Sequence, residues 1–268
     1  MGHHEAVLAL YDRQMRRGAV ADGPGARVEH VGGVVRQTAG HDGGWDGVLW
    51  SDLDGATADV AVAEQVHHFA SLGRDFEWKL YGHDRPADLA DRLLAAGFVR
   101  EPTETLMAAP VGALRDLEVE LPAGVTLHEV TDAAGVELAV RGYARAFGAD
   151  GSWLREHLLA QLPSERRTVV AVVATVDGEP VGSSRLELAP GRDFAGLWSG
   201  GTVPEWRGRG LYRASVVFRA RIAAERGHRY LQVDALPSSR PILERLGFTA
   251  LGTTTPFRYR PPAPARQG

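Results

Sequence analysis

The chain says the same thing twice. "DRLLAAGFVREPTETLM" (Asp91 to Met107) and "PILERLGFTALGTTTPF" (Pro241 to Phe257) each read as a short amphipathic helix, a Gly-Phe stop and a Thr-rich extended run. The glycine suits the left-handed position after a helix, and the phenylalanine begins a strand. Upstream, "VLWSDL" (Val48 to Leu53) echoes "GLWSGG" (Gly196 to Gly201), and the Trp-to-Gly spacings are 47 and 49 residues. Similarity over such a span points to a duplicated domain, because a solenoid repeats at a far shorter period. The expectation is an α/β (α+β) protein of two tandem units, each a mixed, mostly antiparallel sheet flanked by helices.

The second copy is the easier to read. "TVVAVVATVDGEPVGSSRLELA" is a hairpin about the Asp177-Gly178 turn, and "DFAGLWSGGTV" is the next strand. Leu211 to Arg226 has Leu211, Ala214, Val217, Phe218 and Ile222 on one helical face, with Gly227 as its stop. "RYLQVDA" is a buried strand, Pro241 to Leu246 the last helix, and a closing strand follows. The expected division is 1–109, a linker at 110–124, a second unit at 125–260 and a disordered tail at 261–268, where "PPAPARQG" is too Pro-rich to fold.

Composition excludes more than it proposes. A net charge of -4 argues against a nucleic-acid partner held by a global basic field. No cysteine occurs, which removes disulfides, thiolate metal sites and cysteine nucleophiles together. No metal site is expected. No apolar run approaches the roughly 20 residues of a membrane span, and the N-terminus has no signal-peptide core. The expected location is cytoplasmic. Oligomeric state is open.

One stretch carries chemistry. "TVPEWRGRGLY" (Thr202 to Tyr212) sets an arginine-glycine turn between a strand and a helix. Helix N-terminal N–H groups lack intrahelical partners, and the helix dipole adds about half a positive charge there. Gly208 and Gly210 allow backbone to approach a phosphate, while Arg207 and Arg209 offer charged donors to a diphosphate. A solvated basic turn is the plainer reading, since 29 of the 30 basic residues are arginine. A P-loop is excluded because the only lysine, Lys79, lies elsewhere, and a dinucleotide fingerprint because no third glycine follows Gly208 and Gly210 at its spacing.

The turn and the later "ILERLGF" (Ile242 to Phe248) together resemble the GCN5-related N-acetyltransferases, whose coenzyme A site is strand, Val-x-Pro-x-x-Arg-Gly-x-Gly-x-Gly/Ala, helix, then a helix ending Leu-Gly-Phe. The resemblance covers roughly 125–259. It departs at Tyr212, where the family has Gly or Ala. It implies that backbone amides of Arg207, Gly208, Arg209, Gly210, Leu211 and Tyr212 hold the diphosphate of acetyl-CoA. It further implies that Gly201, Thr202 and Val203 pair with the pantetheine arm as with an added strand. A bulge at Gly200-Gly201 would open that edge. The first half has "SDLDGATADV" in this place; Asp52, Asp54 and Asp59 would repel a diphosphate, so it reads as a degenerate copy with a structural role, or one that shapes the acceptor pocket.

The implied activity is acetyl transfer from acetyl-CoA to an amine, small-molecule or peptide, by direct attack on the thioester. Such chemistry needs a deprotonated amine, a polarised carbonyl and a protonated leaving thiolate. The family's usual acid, a tyrosine in the last helix, is Leu243 here. Substitutes are Tyr212, Ser239 or Ser238, Tyr259, or water; Glu187 and Asp234 are the candidate bases. The alternatives are a non-catalytic acyl-CoA-binding or regulatory module, and an acyltransferase with another acyl donor. Trp153 reads as a core side chain, and Ser152 as a helix N-cap.

Overall fold

The computed structural model describes residues 2–41, 44–165 and 167–261. The segment 262–268, most of the expected tail, lies outside the described residues. Among those described, no helix is long and apolar enough to cross a membrane, and no His/Asp/Glu group is arranged to hold a metal ion.

Two compact units emerge, and the chain does not divide between them linearly. One comprises 1–105 and 252–268, the other 106–251. The first contains α1 (His3–Tyr11), a π-helical turn (Asp12–Arg17), β1 (Arg27–Val31), β2 (Val34–Thr38), β3 (Gly47–Ser51), α2 (Ala58–Ser71), β4 (Phe76–Tyr81), α3 (Leu89–Ala95) and β5 (Val99–Arg100). The second holds most of β6 (Glu104–Pro110), then α4 (Val111–Arg115), β7 (Val125–Glu129), α5 (Ala133–Phe147), α6 (Ser152–Gln161), β8 (Val169–Val176), β9 (Glu179–Leu188), β10 (Phe194–Thr202), α7 (Leu211–Glu225), β11 (Tyr230–Ala235) and α8 (Arg240–Arg245). The last strand, β12 (Thr249–Tyr259), starts in the second unit and from Gly252 belongs to the first.

The first unit's strand order is β1-β2-β3-β4-β12, with β5 on β12; only β3 and β4 run parallel. The second unit's order is β6-β11-β10-β9-β8-β7, with β10 and β11 parallel. The closing strand of each sheet is thus drawn from the other half of the sequence. This differs from the linear division expected above. The segment expected as a linker also carries structure: α4 buries Val111 and Leu114 in the second unit's core.

The two helix stops match bond for bond. Phe98 N–H donates to Leu93 and Gly97 N–H to Leu94, while Phe248 and Gly247 do the same to Leu243 and Glu244. This six-to-one, five-to-two pairing needs a left-handed residue, and Gly97 and Gly247 have φ of 91° and 95°. The phenylalanine then enters the core: Phe98 packs edge-on to Phe76, which stacks on Phe69 at 4.3 Å. Each such ring pair adds about 0.5–1.5 kcal/mol beyond its buried area.

In the second unit, Leu186, Leu188, Leu197, Leu231 and Val233 meet Val216, Val217 and Ala220 of α7 on one face of the sheet. Val169, Ala171 and Val173 meet α5 and α6 on the other. Trp153 is one of the side chains packed there, as expected. Ser152 is the first helical residue of α6 rather than its cap; the N-cap is Gly151, and Asp150 accepts the Ser152 N–H at 3.2 Å.

Candidate coenzyme and acyl-transfer site

The site begins where two parallel strands part. β10 pairs with β11 only over Phe194–Gly196, although β10 runs on to Thr202 and β11 to Ala235. Beyond Gly196 that edge of β10 has no strand partner among the described residues. A bulge causes the change of course: Trp198 faces Arg185, but Gly201 faces Ser183, so β10 carries one extra residue. The extra residue takes a left-handed backbone at Ser199, φ 49°, one position before the expected glycine pair. Gly201 has its own constraint, because a Cβ there would meet the Phe147 ring at 2.6 Å and Ala146 at 2.9 Å.

β10 leads through a 3₁₀ turn (Pro204–Trp206) into α7. Gly210, φ 84°, is the N-cap, so no side chain caps the helix, and its first turn holds no acid. Ala214 N–H is the first to find an acceptor, Gly210 O at 3.0 Å. Among the described residues, none accepts from the N–H groups of Gly208 to Arg213. Two other helices of this chain, α5 and α2, meet a carboxylate at their starts: Asp132 accepts from Gly135 N–H at 2.8 Å, and Asp54 accepts from Ala56 and Thr57 N–H at 2.9 Å just before α2. Helices α4, α6 and α8, like α7, have no side-chain cap and no acid in the first turn. Compared with α2 and α5, the positive end of α7 is left without an anion of the protein's own.

The two arginines of the turn do different work. Arg207 is a staple: Nε donates to Thr202 O at 3.1 Å and Nη2 to Ala146 O at 3.0 Å, tying the turn to β10 and α5. Arg209 lies exposed over the Trp206 ring, 4.7 Å from its centroid. Arg209 thus has no side-chain hydrogen bond of its own in the turn among the described residues, while two of the Arg207 donors are already spent on backbone carbonyls.

Tyr212 projects from the first turn of α7. Its hydroxyl lies near Ser239, the N-cap of α8, and its ring covers Gly200, where a Cβ would approach Cε2 to 3.0 Å. Burial pushes the phenol's pKa up, with the nearby Arg219 charge and the Ser239 hydroxyl opposing that rise. The structure brings Tyr212 and Ser239 together but not Glu187. Glu187 alternates with Leu186 and Leu188, which face α7, so it lies on the opposite face and pairs with Arg185 at 3.0 Å. Tyr259 is no part of this site, because it packs on Phe76 and Phe98 in the first unit. Leu243 is 0% exposed within the core beside Val216 and Val217.

One residue went unseen in the sequence. Arg219 sits on the apolar face of α7, seven positions after Tyr212, and is 1% exposed. A charged residue at helical spacing from Leu211 and Tyr212, within an otherwise apolar stripe, is the signal that could have marked it.

The architecture is that of the GCN5-related N-acetyltransferases, in tandem. Among solved structures, a GCN5-related N-acetyltransferase from Kribbella flavida superposes with a TM-score of 0.70 at 21% identity, over 98% of this chain and 97% of that one. A tandem protein from the clavulanic acid biosynthesis pathway gives 0.57 at 16%, over 96% and 94%. A conserved Staphylococcus epidermidis protein of unknown function gives 0.67 at 13%, over 92% and 97%. No protein-family model and no curated protein matches the chain.

Proposed function

We propose that the second unit binds acetyl-CoA and transfers its acetyl group to an amine of a small molecule or peptide. The observation that carries this reading is the uncapped, acid-free start of α7 beside the unpaired edge of β10. Backbone N–H groups of Gly208, Arg209, Gly210, Leu211 and Tyr212 take the diphosphate, with Arg209 as the charged donor and Arg207 holding the turn in shape. The arm runs past Gly201, Thr202 and Val203 on the side of β10 away from β9, although Val203 N–H is already given to Val181 O and Thr202 O already accepts from Arg207.

In the reaction, the amine nitrogen attacks the thioester carbon, the C–S bond breaks and the sulfur keeps its electron pair. Tyr212 gives its proton to that thiolate, and the proton released by the amine passes to water, because Glu187 lies on the opposite face of the sheet and pairs with Arg185. The first unit takes no coenzyme: Asp54 fills its helix start with a carboxylate. One site per chain follows, and no resident metal is invoked.

A binding-only module is favoured by one feature, the burial of Leu243 where the family's acid stands. Thermal unfolding with acetyl-CoA, against ATP and NAD, tests the donor. Ligand at 100 times its Kd adds about 2.7 kcal/mol, which raises Tm by roughly 5–10 °C for a chain this long. An equal rise with ATP sinks the reading. A rise without turnover on any amine leaves the binding module.

A further inference from the structure

This protein handles its two most deeply buried guanidinium groups in opposite ways. Arg16, in the first unit, meets both Asp84 oxygens at 2.7 Å and Asp12 at 2.9 Å, and also donates to Leu49 O. Arg219, equally buried, has no carboxylate within ion-pair distance among the described residues. Its Nε donates to Ser215 O at 3.2 Å and its Nη1 to Arg185 O at 2.9 Å, which fixes the plane of the group. Nη2 has no partner and lies 3.4 Å from where a Cβ on Gly200 would stand. Burial lowers the pKa of Arg219 to about 10, which leaves it charged at neutral pH.

An enclosed cation without a counter-charge is costly, and removing one partner from a buried pair is among the most destabilising changes a core can suffer. Arg219 is in that state in the free protein. Its unused N–H faces the bulge of β10, one residue from the edge proposed to carry the pantetheine arm. A cavity of about 10 Å³, room for one water, opens at Gly200 and Gly201; Ser183, Ser184, Thr202, Tyr212 and Ser215 bring hydroxyls to its lining, and Arg219 is not itself among the lining residues. No acid contributes to the lining. The half-buried Tyr212 ring is the wall that must turn aside for anything larger.

We infer that Arg219 is the recognition point for a carboxylate at the far end of the donor's acyl group, so that a dicarboxylic monothioester of coenzyme A is preferred to acetyl-CoA. The inference rests on the donor reading above. The diphosphate at the start of α7 and the arm along β10 direct the acyl group to Gly200. A two- or three-atom extension past the thioester brings an anion to Nη2, and the carboxylate itself takes no part in the bond changes.

Calorimetric titration of the full chain with acetyl-CoA, succinyl-CoA and glutaryl-CoA is the test, and it requires no knowledge of the acceptor. The expected result is a Kd for succinyl-CoA or glutaryl-CoA at least tenfold below that for acetyl-CoA. Arg219→Met should erase the difference while leaving the acetyl-CoA Kd within about threefold. Equal affinities for the three thioesters in the wild type overturn the inference and leave the donor reading intact, whether or not the variant folds. If no thioester binds, the donor reading falls and this inference falls with it.

Discussion

Under the proposed function, Arg207 serves the site by holding the turn rather than by touching the ligand. Its fork spans two carbonyls, Thr202 O and Ala146 O, which a single ammonium group cannot reproduce. Arg207→Lys should therefore behave like Arg207→Ala, each losing about 1 kcal/mol in thermal denaturation, less than is usual for charged hydrogen bonds because the side chain is exposed. Both should weaken acetyl-CoA by a similar factor in titration. Full rescue by lysine would show instead that charge alone matters. Leu243 gives the converse case. The site is filled by core, so Leu243→Tyr should cost about 1–3 kcal/mol by overpacking and bring no gain in turnover, read by denaturant titration and an amine assay.

Among elements, α7 begins without a side-chain cap or an acid. An acid in the first turn of a helix normally adds about 0.3–1 kcal/mol, yet α7 has none. Arg213→Glu, at an exposed position in that turn, should raise the Tm of the free protein slightly and lower its affinity for acetyl-CoA at least several-fold. The opposite signs are the diagnostic. Movement of both in one direction would mean that no anion belongs there. Much of this element was legible in the sequence, because Gly-x-Gly before an apolar periodicity is a local signal, as is Asp177-Gly178 in the hairpin. Arg219 was hidden because the string shows residue type but not the depth to which the helix carries it. The separation of Glu187 from Tyr212 was hidden too, since it depends on which way each points across a sheet.

On the scale of the whole molecule, the tandem architecture was legible and the ownership of its strands was not. "TETLM" and "TTTPF" follow the same Gly-Phe stop and have the same Thr-rich pattern, so either suits either sheet. Local chemistry cannot choose between them. A chain ending at Leu251 should lose the first unit's order while keeping the second's. Hydrogen exchange reads this directly: amides of β4, which pair with Thr254–Tyr259, should exchange freely, while those of β9 and β8 stay protected. Continued protection of β4 would show that β12 is dispensable to that sheet.

The exchanged strands also set an order of events on the ribosome. Domains generally finish in the order in which they are made. Here the second unit has its residues once Leu251 has emerged, whereas the first, begun earlier, lacks its closing strand until the last residues follow. At about 5–20 residues per second, the nascent N-terminal sheet waits roughly 7–30 s with its β4 edge unsatisfied. During that interval it is the segment of this protein most in need of a chaperone.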